Sequence, residues 1–204
     1  MFDAIYQMMQ SGSTLGSFLR VVPITLLVGV GYAVYRWVKI KRQRLTVSWF
    51  SELMRWLFVC YLTGLVNLVL VPGNLWGSIW YSLRTGAAEI EFDQPFSGGF
   101  NLVPTLVKCL LGELTLGSWV KEMLVGNLLM FLPMGFFLPF VSERVDRRNI
   151  WKLAVLIPVV IEVIQLMIGR SFDVDDLLLN FAGIVIGYFV AVGVKVLAVK
   201  AKGK

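Results

Sequence analysis

Apolar residues gather in five runs along the chain, at about 19 to 40, 50 to 72, 121 to 141, 150 to 168 and 176 to 198, with polar and charged residues between them. Each run approaches the roughly 20 residues needed to cross a hydrocarbon core, where a helix satisfies its own backbone hydrogen bonds. The pattern predicts an all-α integral membrane protein: a bundle of five transmembrane helices forming a single membrane domain over 1–204, with no internal repeat. Residues 73–120 are the one long connection, and a connection of that length usually carries function. Within it, alternation over Glu89 to Phe92 predicts a short strand and Gln94 to Gly99 a turn. Thr105 to Leu116 predicts a short interfacial or re-entrant helix. Met1 to Gly16 lacks the basic start of a signal peptide, and basic residues follow the first run, so the first span is expected to stay attached.

Composition agrees with the pattern: of 204 residues 57% are hydrophobic and 16% charged, and the mean hydropathy is +0.76. Histidine is absent, which removes the commonest transition-metal ligand and every Ser-His or Cys-His arrangement. Cys60 and Cys109 form no C-x-x-C pair. Any catalysis would fall to carboxylates or lysine.

The net charge of +6 has a topological explanation, because basic residues concentrate in cytoplasmic segments. Arg36, Lys39, Lys41, Arg42, Arg44 and Arg55 lie around the connection of the first two spans; Arg144, Arg147, Arg148 and Lys152 around that of the third and fourth; Lys195, Lys200, Lys202 and Lys204 at the end of the fifth. The opposite side has only Arg20, Arg84, Lys108, Lys121 and Arg170. The N-terminus is therefore expected outside, the C-terminus in the cytoplasm and 73–120 as an extracytoplasmic loop, with no nucleic-acid partner. Most acids then fall outside, Asp173, Asp175 and Asp176 among them. Trp76, Trp80, Tyr81 and Trp119 suit an aromatic belt at the membrane interface better than sugar stacking.

Some polar residues stand where lipid would oppose them. Glu162 lies inside the fourth span, about 9 Å from its outer end at the helical rise, and must face protein, be neutralised or have a partner. Gln165 shares its face. Asn127 in the third span admits the same two readings, helix-joining contact or functional group. After span four, Gly169-Arg170-Ser171-Phe172-Asp173-Val174-Asp175-Asp176 runs straight into span five. Capping accounts for part of it, with Asp175 accepting from free backbone N–H groups and Asp176 suiting the helix dipole. It leaves Asp173 unexplained, and Asn180 lies one turn below Asp176. Gly183 and Gly187 make a small-x-x-x-small pair suited to close helix packing. Pro133 and Gly135 mark a bend in span three that serves either packing or a ligand space.

Clustered carboxylates suit glycoside hydrolysis, divalent-cation binding or proton relay. A glycosidase needs two carboxyls about 5 to 9.5 Å apart, with a buried Glu162 as general acid. No organic cofactor is expected, and a divalent cation at the aspartates is the one cofactor the residues admit, without the ligand spacing of an EF-hand loop. A transporter would more often show repeats and more spans.

The chain resembles VanZ-like family proteins. The resemblance rests on Asn101-Leu102-Val103-Pro104, on Glu122 with Asn127 to Gly135, on Glu162 with Gln165, and above all on Gly169 to Asn180 with Gly183 and Gly187, so the motif region covers about 100–190. Thr105 stands where the family usually has phenylalanine. The resemblance implies a cell-envelope membrane protein of Gram-positive type, associated with resistance to the glycopeptide teicoplanin. Together the readings predict an outer-leaflet pocket, with Glu162, Asp175 and Asp176 as catalytic groups. Glu122, Asn127, Gln165, Arg170, Asp173 and Asn180 would bind substrate. The expected partners are membrane lipids and an envelope glycan or lipoglycopeptide, bound with or without turnover.

Overall fold

In a computed structural model the described residues are 14–72, 75, 79, 82, 86, 94–112 and 117–202; the side chains of 14–20, 106, 118, 119, 122 and 202 are not among them. The elements are α1 (Thr14–Gln43), α2 (Trp49–Val69), β1 (Phe100–Asn101), α3 (Thr105–Leu110), α4 (Ser118–Val141), α5 (Asn149–Met167), β2 (Phe172–Asp173) and α6 (Val174–Lys202). Among the described residues five helical stretches are long and apolar enough to cross a membrane: Val21–Gln43, Trp49–Val69, Met123–Val141, Asn149–Met167 and Val174–Ala201. They match the five predicted spans. The chain is an all-α, multi-pass membrane protein.

It divides into two compact units, Met1–Gln94 and Pro95–Lys204. In the first, α1 and α2 pack as an antiparallel pair whose close approach needs Gly29: a Cβ there would lie 2.8 Å from the Cys60 sulfur. The Trp56 indole donates to the Gly29 carbonyl at 2.8 Å. At one end of the pair Glu52, nearly buried, accepts from Arg36 at 2.7 and 2.5 Å and from Arg55 at 2.7 Å. The two-pronged guanidinium contact fixes the ends of both helices together.

In the second unit α6 packs along α4 and against α5. Phe131, Ile150, Ala154, Ile184, Tyr188 and Ala191 form its buried apolar core. Glycine sets the α4–α6 distance. A Cβ on Gly135 would fall 1.8 Å from the Ile184 carbonyl oxygen, one on Gly187 2.0 Å from that of Leu132, and one on Gly183 2.5 Å from that of Leu128. These are backbone contacts that no rotamer change relieves, so Gly183, Gly187 and Gly135 serve backbone-to-backbone packing. At the opposite end from the aspartates, Lys195 donates to the Pro139 carbonyl, one of the last carbonyls of α4 and without an intrahelical donor of its own.

The only sheet among the described residues is a two-stranded parallel pair, with Phe100 opposite Phe172 and Asn101 opposite Asp173. It ties the connection before α3 to the α5–α6 turn. The pair was not foreseen: two residues are too few to show alternation. The strand expected at Glu89 to Phe92 lies outside the described residues. The helix expected over Thr105 to Leu116 is shorter, ending at Leu110. Gly112, at φ +76°, carries the chain out of it, and 113–116 lie outside the described residues.

Candidate functional site

The site is assembled where α5 turns into α6. Helix α5 closes with two bonds: the Gly169 N–H reaches the Leu166 carbonyl at 3.2 Å and the Arg170 N–H reaches that of Gln165 at 2.9 Å. Gly169 takes φ +87°. This is the glycine-terminated helix end in which a left-handed residue lets its own N–H and the one after it turn back on orphan carbonyls. The segment 96–101 is laced against this turn. The Phe96 N–H donates to Leu166 at 3.1 Å and the Phe172 N–H to Gly99 at 2.9 Å. A Cβ on Gly98 would sit 2.0 Å from the Arg170 carbonyl oxygen, so only glycine allows the two strands of chain to lie this close.

Asp173 caps α6. Its Oδ1 accepts the backbone N–H of Asp175 at 2.8 Å, and its Oδ2 accepts from the Asn101 amide at 3.0 Å. The Asn101 side-chain oxygen in turn accepts from the Lys108 ammonium at 2.5 Å. The sequence pointed to Asp175 as the cap; the helix starts at Val174, which moves that duty two residues upstream. Asp175, buried, instead accepts from Thr105: its two oxygens take the backbone N–H at 3.1 and 2.9 Å, and Oδ2 also takes the hydroxyl at 2.5 Å. Asp176, half-buried, accepts from the Asn127 amide through Oδ1, which joins α6 to α4.

Glu162 is fully buried. Its Oε2 accepts the backbone N–H of Asp173 at 3.0 Å, while Oε1 has no hydrogen-bond partner among the described residues. The side-chain oxygen of Asn180, also buried, has none either. Glu162 is five residues from the end of α5 and Asn180 six from the start of α6, which puts them at about 8 and 9 Å along their helices at 1.5 Å per residue. The two unmatched acceptors lie at similar depth on neighbouring helices. Each costs about 1 to 3 kcal/mol if nothing donates to it.

The structure thus brings Glu162, Asp173 and Asp175 into one bonded network, with the Asn127–Asp176 pair beside it in the first turn of α6. Buried Gln165 lies one turn from Glu162 on α5, and Arg170 is exposed in the turn that follows α5. The Glu122 side chain lies outside the described residues, as do those of Trp76, Trp80, Tyr81 and Trp119. Among the described residues no three His, Cys, Asp or Glu side chains are placed to hold a metal ion. Sequence reasoning missed Thr105 and Lys108 as members. Thr105 stands directly after the Asn101-to-Pro104 element, and that adjacency was the available signal.

A family model described as VanZ/LLP1 matches residues 58–197, about two thirds of the chain, and the matched stretch holds every residue of this cluster. No curated protein matches, and no solved structure does.

Proposed function

The chain belongs to the VanZ/LLP1 family, and from that premise and the geometry of the cluster we propose a resistance-linked cell-envelope protein that recognises the sugar-bearing headgroup of a membrane-anchored ligand, an envelope glycolipid or lipoglycopeptide. The observation that carries this reading is the pair of buried acceptors without donors, Glu162 Oε1 and Asn180 Oδ1. Their natural complement is a group rich in donors, and hydroxyls supply donors without a charge. The rim suits the same ligand: Asn127 and Asp176 are half-buried and Arg170 is exposed. The excess of basic residues at the opposite helix ends supports an extracytoplasmic position.

Recognition fits the bonding better than hydrolysis does. Both oxygens of Asp173 and both of Asp175 already accept protein hydrogen bonds, so these two aspartates hold the frame. Glu162 and Asp176 remain as the carboxylates for acid and base work. The unpaired Glu162 oxygen is the one feature favouring a hydrolase, with Glu162 as acid and Asp176 as base or nucleophile.

The test is mass spectrometry of purified protein in lipid nanodiscs after incubation with lipid-linked glycans, wall polymers and teicoplanin, beside Glu162→Gln and Asp176→Asn. Retention of an intact sugar-bearing lipid or of the drug, weakened in both variants, is the expected result. New products from the wild type alone would replace recognition by hydrolysis. No retention and no conversion would overturn both readings.

A further inference from the structure

Residues 96–111 expose an unusual amount of apolar surface for a segment outside the five spans. Phe96, Phe100, Leu102, Leu110 and Leu111 are all more than 60% exposed, Leu110 reaching 87%. Six-residue α3 is far too short to persist alone, so its position is set by what holds it. Three ties hold it to the end of a span: the strand pairing of Phe100–Asn101 with Phe172–Asp173, the Thr105–Asp175 bonds at the first turn of α6, and the ring contact of Phe100 with Phe172 at 5.9 Å. The lipid-facing surface of the same unit ends close by, at exposed Val163, Met167 and Leu178. The apolar side chains of 96–111 continue that surface past the ends of the helices. The α3 turn and the β1–β2 pair satisfy part of their backbone internally, which lowers the cost of leaving bulk water.

We propose that the segment 96–111 is seated in the lipid leaflet, with Phe96, Phe100, Val103, Leu110 and Leu111 among acyl chains. Its occupant is the bilayer, because the patch is continuous with the membrane-facing surface of α5 and α6 and large exposed aliphatic and aromatic side chains suit that solvent. The polar cluster behind it then opens sideways at headgroup depth instead of only toward bulk water. A ligand reaches Asn101, Lys108 and Asp176 along the membrane plane, so the class that fits is a lipid with a polar head. The leaflet seat itself does not depend on what the cluster binds, so its test can fail while ligand retention succeeds, and the reverse.

The experiment is nitroxide accessibility in lipid nanodiscs. Leu110→Cys, Leu111→Cys and Val103→Cys, with Ser171→Cys as the reference at the exposed turn, are labelled in a Cys60→Ser, Cys109→Ser background. Collisions with dissolved oxygen are expected to exceed those with a water-soluble nickel chelate at 103, 110 and 111, and the ratio to reverse at 171. Chelate collisions at 110 and 111 equal to those at 171 would overturn the proposal. Exclusion of both reagents would overturn it too, since protein and not lipid would then cover the patch. If the cysteine-free background does not fold, a photo-reactive benzoyl-phenylalanine at position 110 of the otherwise unaltered chain decides: crosslinks to lipid support the seat, and crosslinks to protein or none at all overturn it.

Discussion

Thr105 gives Asp175 both of its donors. The backbone N–H reaches Oδ2 at 2.9 Å and the hydroxyl reaches the same oxygen at 2.5 Å, with both residues buried. A threonine in the connection before α3 is thereby fastened to the first turn of α6, seventy residues on. Removing the hydroxyl by Thr105→Val leaves the backbone bond in place and is expected to cost about 1.5 to 3 kcal/mol, the range for a hydrogen bond to a charged group. Asp175→Ala strands both donors of Thr105 and is expected to cost more. Denaturant or thermal unfolding of the purified protein in one fixed detergent measures both; equal stability of Thr105→Val and wild type would mean the hydroxyl is not bonded.

Glycines at the α4–α6 contact give a graded expectation. Gly135→Ala and Gly187→Ala each drive a methyl to within about 2 Å of a carbonyl oxygen on the facing helix, and overpacking of this kind costs typically 1 to 3 kcal/mol or more. Gly126→Ala, on the same helix as Gly135 but with nothing within 4 Å of the new Cβ, is expected to be neutral or stabilising because alanine is the better helix former. Melting temperatures of the three variants check the order. A Gly135→Ala protein as stable as Gly126→Ala would place the helices farther apart than described.

The sequence revealed what repeats along the chain and hid what is joined across it. Five apolar runs gave five spans with end points within a few residues, and the small-x-x-x-small spacing of Gly183 and Gly187 gave a packing face. The Asp173, Asp175 and Asp176 group was legible as a concentration of charge, yet each role was not, because roles depend on where α6 begins and on what lies opposite. A start two residues earlier, at Val174, makes Asp173 the cap, and Asp175 meets Thr105 instead. The two-residue β1–β2 pair and the Gly98 approach to Arg170 are long-range contacts with no periodic signature. Thr105 follows from the same cause: its partner is in another element.

Asp173 serves two partners at once, the Asp175 N–H and the Asn101 amide. Asp173→Ala should therefore cost more than an N-cap alone, which is worth about 0.5 to 2 kcal/mol. Asn101→Ala should remove the second contribution together with the bond that Asn101 accepts from Lys108. In a double-mutant cycle the pair is expected to show coupling of at least about 0.5 kcal/mol. Strict additivity would mean that the two side chains do not meet.

Asp146, two residues before Arg148 at the N-terminal boundary of α5, acts as a side-chain cap on the approach to that helix, accepting the Asn149 N–H at 2.7 Å and the Arg148 N–H at 2.9 Å through one oxygen. Those two backbone bonds, that of Asn149 foremost, hold its carboxyl below the usual aspartate range. A lowered folded-state value fixes the sign: the cap contributes fully above the ordinary aspartate value of about 3.9 and is lost as pH falls through the lower, folded one. The wild type should melt above Asp146→Ala near neutral pH, and the difference should shrink only below about pH 4. A difference that vanished between pH 7 and 5 would assign the stabilisation to some other group.

The charge distribution predicts an orientation that is open to direct measurement. Ser171 and Arg147 are both exposed and stand beyond opposite ends of α5, so the membrane must separate them if α5 spans it. Basic residues cluster beside Arg147, at Arg144, Arg148 and Lys152, and the preference of such clusters for the cytoplasm predicts Ser171 outside. With Cys60 and Cys109 replaced by serine, a membrane-impermeant maleimide added to intact cells should label Ser171→Cys and spare Arg147→Cys until the cells are opened. Labelling of Arg147→Cys alone would invert the chain and move the carboxylate cluster to the cytoplasmic face, out of reach of a ligand in the outer leaflet; labelling of both in intact cells would mean that α5 does not cross.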